Sequence, residues 1–274
     1  MPTCQDQHID FTATPRPYVA LSTFRGDASQ APLTLDSGSV RTSSEGIVLE
    51  LSKANQAEGT VLSTTRYMLY GEITAVMKHE NNNGVVAALI SMSPTYDEID
   101  WEFTKSSQQE VETNFFWTGV TSNDHNAKTI STSRLPSGFS TKQFHSYTVK
   151  WTPDSITWLI DGSEVRSIQK TARKTKKKGQ SYYEFPATPS RVQLSLWCAG
   201  CPGNAKGTRQ WAGGKPDWSK VDSKGTFTTT VKSLTLKCST PASLQSYPAL
   251  TYTSAKDATT GESKVIGTNR KTTL

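Results

Sequence analysis

Asp97-Glu98-Ile99-Asp100-Trp101-Glu102-Phe103 is the stretch that decides the fold. Acids at 98, 100 and 102 alternate with Ile99, Trp101 and Phe103. That is the period of a β-strand, whose successive side chains point to opposite faces. On a strand the three acids share one face and the apolar three enter a core; a helix would scatter the acids around its axis. Like charges in a row repel, and a strand with no other task mixes in Thr or Lys. The chemistry that needs paired carboxylates is glycosidic cleavage. Asp100, between the glutamates, can hydrogen-bond one and share a proton with the other, splitting their pKa values. One glutamate can then attack while the other carries a proton. Cα atoms at positions 98 and 102 of a strand stand roughly 13 Å apart. Retaining chemistry needs carboxyls about 5–5.5 Å apart and inverting chemistry about 6.5–9.5 Å; long side chains on a curved strand can meet either. An exposed acidic strand or a Ca²⁺ site is the competing reading.

Outward from this stretch the same period recurs. Val85 to Met92 is a continuous apolar run bounded by turns, a fully buried strand. Ile73, Ala75 and Met77 alternate with Glu72, Thr74 and Val76. In Val111 to Trp117, the residues Glu112, Asn114 and Phe116 share a face, and pairing with the acidic strand would line one cleft with them. Phe144 to Trp151 and Ile156 to Ile160 flank a turn at 152–155, and Asp161-Gly162 makes the next hairpin. Arg191 to Trp197 places Gln193, Ser195 and Trp197 on one face, and Val231 to Lys237 is the last strand. About a dozen strands at hairpin spacing, with hardly any helical period, predict an all-β sandwich. Residues 1–238 form the expected domain. Residues 239–274, rich in Ser and Thr, read as a poorly packed tail.

The 274 residues include seven Trp, nine Tyr and nine Phe, enough for one large core, and no apolar run approaches a membrane span. The first residues lack a basic and an apolar leader region, which fits a cytosolic chain or a secreted one whose leader has been removed, and the second is the expectation. Four cysteines allow three pairings. Cys4 and Cys238 flank the sandwich and Cys198 and Cys201 share a loop, so Cys4–Cys238 and Cys198–Cys201 are the expected disulfides, with a redox or zinc motif as the rival reading of Cys198-x-x-Cys201. Net charge is +6, much of it from Lys170 to Lys178. That run has no interleaved aromatic residue and no DNA-binding motif, so no nucleic-acid partner is expected. It reads as a solvated mobile loop, with adhesion to an anionic wall or membrane surface as the functional alternative.

Glu98-x-Asp100-x-Glu102 resembles the signature of glycoside hydrolase family 16 in its regular-strand form. The resemblance implies Glu98 as nucleophile, Glu102 as acid/base and Asp100 as assistant. Asn114-Phe115-Phe116 and Phe144 to Gly162 are similar to strands of that family. Pro186 to Trp197, Asn204 to Gly214 with its Trp211-Ala-Gly-Gly, and Asp217-Trp218 resemble the fungal Crh-type cell-wall transglycosylases. Two departures stand out. Gln210 precedes Trp211 where that group usually has Glu, and Glu112 stands where the family commonly has Gln. The resemblance covers roughly residues 45–238. It implies a jelly-roll β-sandwich of two antiparallel sheets with a concave substrate cleft, and retaining chemistry on cell-wall polysaccharide that joins chitin to β-glucan. A β-glucan hydrolase and a non-catalytic carbohydrate-binding sandwich are the alternatives. Trp197, Trp211, Trp218, Phe116 and Tyr96 are candidate sugar platforms, with Asn114, Glu112 and Ser195 beside them. No cofactor and no metal is called for. The expected protein is a secreted or cell-wall monomer, with a glycosylphosphatidylinositol anchor possible in a longer precursor.

Overall fold

A computed structural model describes residues 1–14, 16–54, 58–119, 128–130, 134–177, 179–256 and 263–270. Two eight-stranded sheets pack face to face. The acidic strand, Glu98–Phe103, lies in one of them. Across that sheet the order is Lys128–Ile130, Val111–Phe116, Glu98–Phe103, Val86–Met92, Arg191–Trp197, Thr60–Thr64, Leu33–Ser37 and Tyr18–Ala20. Every pairing is antiparallel except the last, Tyr18–Ala20 with Leu33–Ser37, which is parallel. The second sheet is built on the thirteen-residue strand Thr226–Cys238, flanked by Gly71–His79 and Gly46–Ser52.

The alternation read from the sequence places the core between the sheets. Ile99, Trp101 and Phe103 are buried, as are Ile73, Ala75 and Met77 from the facing sheet. Trp101 and Phe103 both meet Tyr147 edge-on, with ring centroids 5.5 and 4.8 Å away. Two indoles also hold backbone: Trp158 Nε1 donates to the Asp100 carbonyl at 2.9 Å, and Trp101 Nε1 to the Thr148 carbonyl at 3.2 Å. Burial of a Trp needs a partner for its N–H, and here that partner is the backbone of the acidic strand or of the strand packed under it. The acids are thus displayed from a strand pinned from below.

Three segments differ from the sequence reading. Lys170–Arg173 forms a 3₁₀ turn, and Lys174–Lys177 pairs with Gln180–Tyr183 as a hairpin rather than a loop. The return strand supplies the aromatic anchors: Tyr182 packs on Trp117 at 5.4 Å and Tyr183 lies under the Lys170 ammonium at 5.5 Å. Second, the segment expected as a loose tail is held at its start. Ala249 and Leu250 are buried, Met1 donates to the Leu250 carbonyl at 3.0 Å, and Ala249–Lys256 pairs with Ser263–Thr268. Third, Lys206–Trp211 is a six-residue α-helix, too short to show a helical period.

Both expected disulfides form, Cys4–Cys238 and Cys198–Cys201. The first joins residues 234 apart and the second residues 3 apart. By loop-closure entropy the long link is worth about 5 kcal/mol and the short one about 2. Replacing Cys4 and Cys238 by Ser should therefore lower stability in guanidinium titrations more than replacing Cys198 and Cys201. The reverse order would show that the long link adds little to what the packed sandwich already holds.

Candidate active site

The acidic strand pairs with both neighbours without a register shift. Directly opposed residues of paired strands share a face. Glu102 therefore lies between Ala88 and Glu112, Asp100 between Ile90 and Asn114, and Glu98 between Met92 and Phe116. One strand further, Gln193 stands beside Ile90, Ser195 beside Ala88 and Trp197 beside Val86. The structure thus brings Asn114, Phe116, Glu112, Ser195 and Trp197 onto the face of the three acids. The cavities of about 300 and 480 Å³ that border Arg66 share no residue with this face.

Burial grades the three acids. Asp100 is 1% exposed, whereas Glu98 and Glu102 keep part of their side chains open. No protein donor reaches either Asp100 oxygen among the described residues. Its neighbour is the Glu98 carboxyl, so a proton must stand between the two. Burial, the charges of Glu98 and Glu102, and the hydrogen bond to Glu98 all hold Asp100 well above the usual carboxylate range. Burial also raises Glu98, but the hydrogen bond with Asp100 opposes that rise. A protonated Asp100 donating to an ionised Glu98 satisfies both. Glu102 is pushed up to about 8, first by burial and then by the charges of Glu98 and Glu112. Glu98 and Glu102 thus close the two ends of one row, the first steadied by the hydrogen bond with Asp100 and the second held up by burial and like charge.

Asp97 carries no role in the sequence reading, although it shares the phase of Ile99 and so points away from the acids. It is 1% exposed. Its oxygens accept from Thr118 N–H and Ala187 N–H, both at 2.9 Å, and from the Thr188 hydroxyl at 2.6 Å. The residue clamps the start of the acidic strand to two other segments. Asp97→Ala strands three donors, so unfolding titrations should show a loss of roughly 3–5 kcal/mol; a loss under about 1 kcal/mol would mean water replaces the carboxylate. Beside it, Tyr96 adopts a left-handed φ of 64° and is 66% exposed. Its ring stands over Gly119, whose N–H donates to the Tyr96 carbonyl at 2.8 Å. A large aromatic held in so strained a conformation marks the Glu98 end of the face.

At the Glu102 end stands an aromatic pair. Trp197 and Trp211 stack with centroids 6.5 Å apart and planes at 29°. Both cover Val86, Ala199 and Ala212 while staying half-buried. Trp211 Nε1 donates to Glu112 Oε2 at 2.8 Å, and Lys105 Nζ approaches Glu112 Oε1 at 3.2 Å. The two glycines that follow Ala212 are explained by backbone conformation, with φ of 83° at Gly213 and 100° at Gly214, in a loop that packs closely on its neighbours. A Cβ on Gly200 would lie 2.0 Å from the Gly214 carbonyl, and one on Gly213 would lie 2.6 Å from Asn83. The Cys198–Cys201 loop and the Trp211 loop therefore cross backbone to backbone. Trp218 does not join this pair: its ring packs on Phe227 of the opposite sheet, 5.0 Å away. The loop after Gly214 turns it towards the core edge. Gln210 is exposed on the helix, and Arg209 reaches the Asn204 carbonyl at 3.0 Å.

Comparison with known proteins agrees with this geometry. The profile of Glycosyl hydrolases family 16 matches residues 27–220. Crh-like protein 2 of Aspergillus fumigatus is 36% identical over 92% of the chain, and Congo red hypersensitive protein 2 of Saccharomyces cerevisiae is 32% identical over 89%. The chain spans 55% and 50% of those relatives' own lengths. Among solved structures, Crh5 transglycosylase in complex with NAG superposes with a TM-score of 0.69 at 30% identity, covering 88% of this chain and 86% of that one. A Bacillus licheniformis β-glucanase shares the fold at a TM-score of 0.56 and 22% identity, covering 73% and 82%. The acid row, the sandwich that displays it and a match over most of the length lead to one conclusion: the chain belongs to glycosyl hydrolase family 16.

Proposed function

We propose that this chain is a retaining endo-transglycosylase of the cell wall that cleaves chitin and transfers it to β-glucan. The observation that carries the reading is the row of three acids on one strand face with the stacked Trp197–Trp211 pair at its Glu102 end. Along that row the hydrogen bond with Asp100 opposes the rise of Glu98, and Glu102 is pushed up to about 8.

Glu98 attacks the anomeric carbon while Glu102 gives its proton to the departing glycosidic oxygen. The carbon–oxygen bond of the polymer breaks as an ester to Glu98 forms. As negative charge leaves Glu98, the hydrogen bond from Asp100 weakens with it. Glu102, now a base, takes the proton of an acceptor hydroxyl, which attacks the ester and frees Glu98. The acceptor oxygen arrives where the leaving oxygen departed, so the Trp197–Trp211 pair at the Glu102 end serves acceptor sugars. A bound sugar outcompetes water only when it is held in orientation, and paired indoles supply that hold. Phe116, Asn114 and Tyr96 serve the donor from the Glu98 end, and Ser195 offers a buried hydroxyl with no partner among the described residues to the face. The NAG held by the superposing Crh5 transglycosylase supports an amino-sugar donor.

The same reading places a monomer at the cell wall and allows a lipid anchor in a longer precursor, testable by phospholipase release from walls. Its main test is product analysis. Chitin oligomers are incubated with a fluorescent laminari-oligosaccharide, and barley β-glucan alone serves as the parallel arm. Labelled hybrids, absent with Glu98→Ala, are expected. Reducing ends from the glucan without hybrids would make the protein a glucan hydrolase, and silence in both arms would leave a binding module.

A further inference from the structure

We infer that Glu112 is a positioning residue that links the Trp211 sugar platform to the Glu102 carboxyl. The inference rests on the catalytic roles proposed above. Glu112 is directly opposite Glu102 in the antiparallel register, a placement that brings Cβ atoms to about 4.5–5.5 Å. It is 6% exposed. One oxygen receives the Trp211 indole N–H at 2.8 Å; the other receives the Lys105 ammonium at 3.2 Å and the Thr129 hydroxyl at 3.5 Å.

An uncharged amide could hold the indole equally well. A carboxylate directly opposite another acid is destabilising, so its charge has a consequence that lies outside packing. The groups around Glu102 show what it is. Its own strand contributes Glu98 and Asp100; the strand on one side contributes uncharged Ala88, with Ser195 beyond it. The strand on the other side contributes Glu112, backed by Lys105. Among the described residues, Glu112 is therefore the charge that reaches Glu102 from outside its own strand, in line with the causes of the Glu102 shift. Trp211 and Lys105 compensate part of that charge. Whatever moves the indole N–H, such as a sugar stacking on the ring, changes how firmly Glu102 holds its proton. By linkage, the protonation of Glu102 changes how well the platform takes a sugar.

The test is a titration of the Glu102 carboxyl by ¹³C NMR in the whole chain, which needs no turnover. Glu112→Gln keeps an acceptor oxygen for the indole and removes the charge, so the Glu102 midpoint should fall by roughly one pH unit. Lys105→Met removes compensation, so the midpoint should rise. Trp211→Phe keeps a stacking ring without its N–H; the midpoint should rise less and the acceptor KM should increase. A residue that merely holds Trp211 in place would leave the Glu102 midpoint unmoved in folded Glu112→Gln and Lys105→Met, and that result overturns the inference. The opposite signs guard against a general loosening of the fold. The catalytic reading fails on a separate result, an active Glu98→Ala enzyme, which would leave the midpoint shifts intact but strip them of catalytic meaning.

Discussion

Glu98→Ala should lose about 10⁴-fold or more in kcat while folding normally, the scale seen when a covalent nucleophile is removed. The reason lies in the protons. Glu98 is the one acid of the row whose raised pKa is opposed by a hydrogen bond, so it is the group that the row favours as the attacking carboxylate of the proposed reaction. Truncation leaves the core face of the strand untouched, because Ile99, Trp101 and Phe103 point the other way. It also removes the carboxyl to which Asp100 donates, so the melting temperature should fall by no more than the loss of one buried hydrogen bond, about 1–3 kcal/mol. The variant offers a second readout. A small external anion such as azide fits the space vacated by the carboxylate and attacks an activated donor directly. One displacement in place of two gives the inverted anomer, whereas the wild type retains configuration. Turnover within tenfold of wild type, or rescue giving the retained anomer, would move the nucleophile elsewhere.

The acid row is legible in the sequence because period two fixes which face each residue takes. Ile99, Trp101 and Phe103 can go nowhere but the core once Glu98, Asp100 and Glu102 are placed outside. The same logic gives Glu112, Asn114 and Phe116 a common face, and the structure puts them beside the acids. Period does not give register, however. That Glu112 meets Glu102, and that Trp211 and Lys105 converge on its two oxygens, depends on contacts 7 and 99 residues apart in the chain. Asp97 does carry a signal: an acid in the phase of Ile99 must be buried, and a buried carboxylate must have partners. Trp218 opens a three-residue 3₁₀ turn, too short for period or register to act, and only the path of the chain after Gly214 decides that it packs on Phe227. The lysine run misleads for a related reason. Its anchors, Tyr182 and Tyr183, lie on the returning strand and not among the lysines.

Glu102→Gln should move activity and stability in opposite directions. A glutamine cannot protonate the leaving oxygen, so turnover of natural polymer should fall by about 10²–10⁴-fold. Donors with good leaving groups should lose less in the first step, since they need little protonation, and the covalent ester should then accumulate for want of a base. Stability follows from the pKa shift. The folded protein holds the Glu102 proton to about 8, against an ordinary value of 4.5. Between those values the folded state binds a proton that the unfolded state has released. Folding stability therefore falls as pH rises from 4.5 to about 8 and is fully retained only below that window. Glutamine carries no such penalty. At about pH 7 the variant should be more stable by on the order of 2–3 kcal/mol, or roughly 5 °C in melting temperature, and at about pH 4.5 the two proteins should melt alike. Equal melting at both pH values would show that Glu102 titrates normally and has not been set up as an acid. A variant that gains stability at neutral pH and loses transfer would show one carboxyl held against its own ionisation so that it can give a proton to the departing sugar.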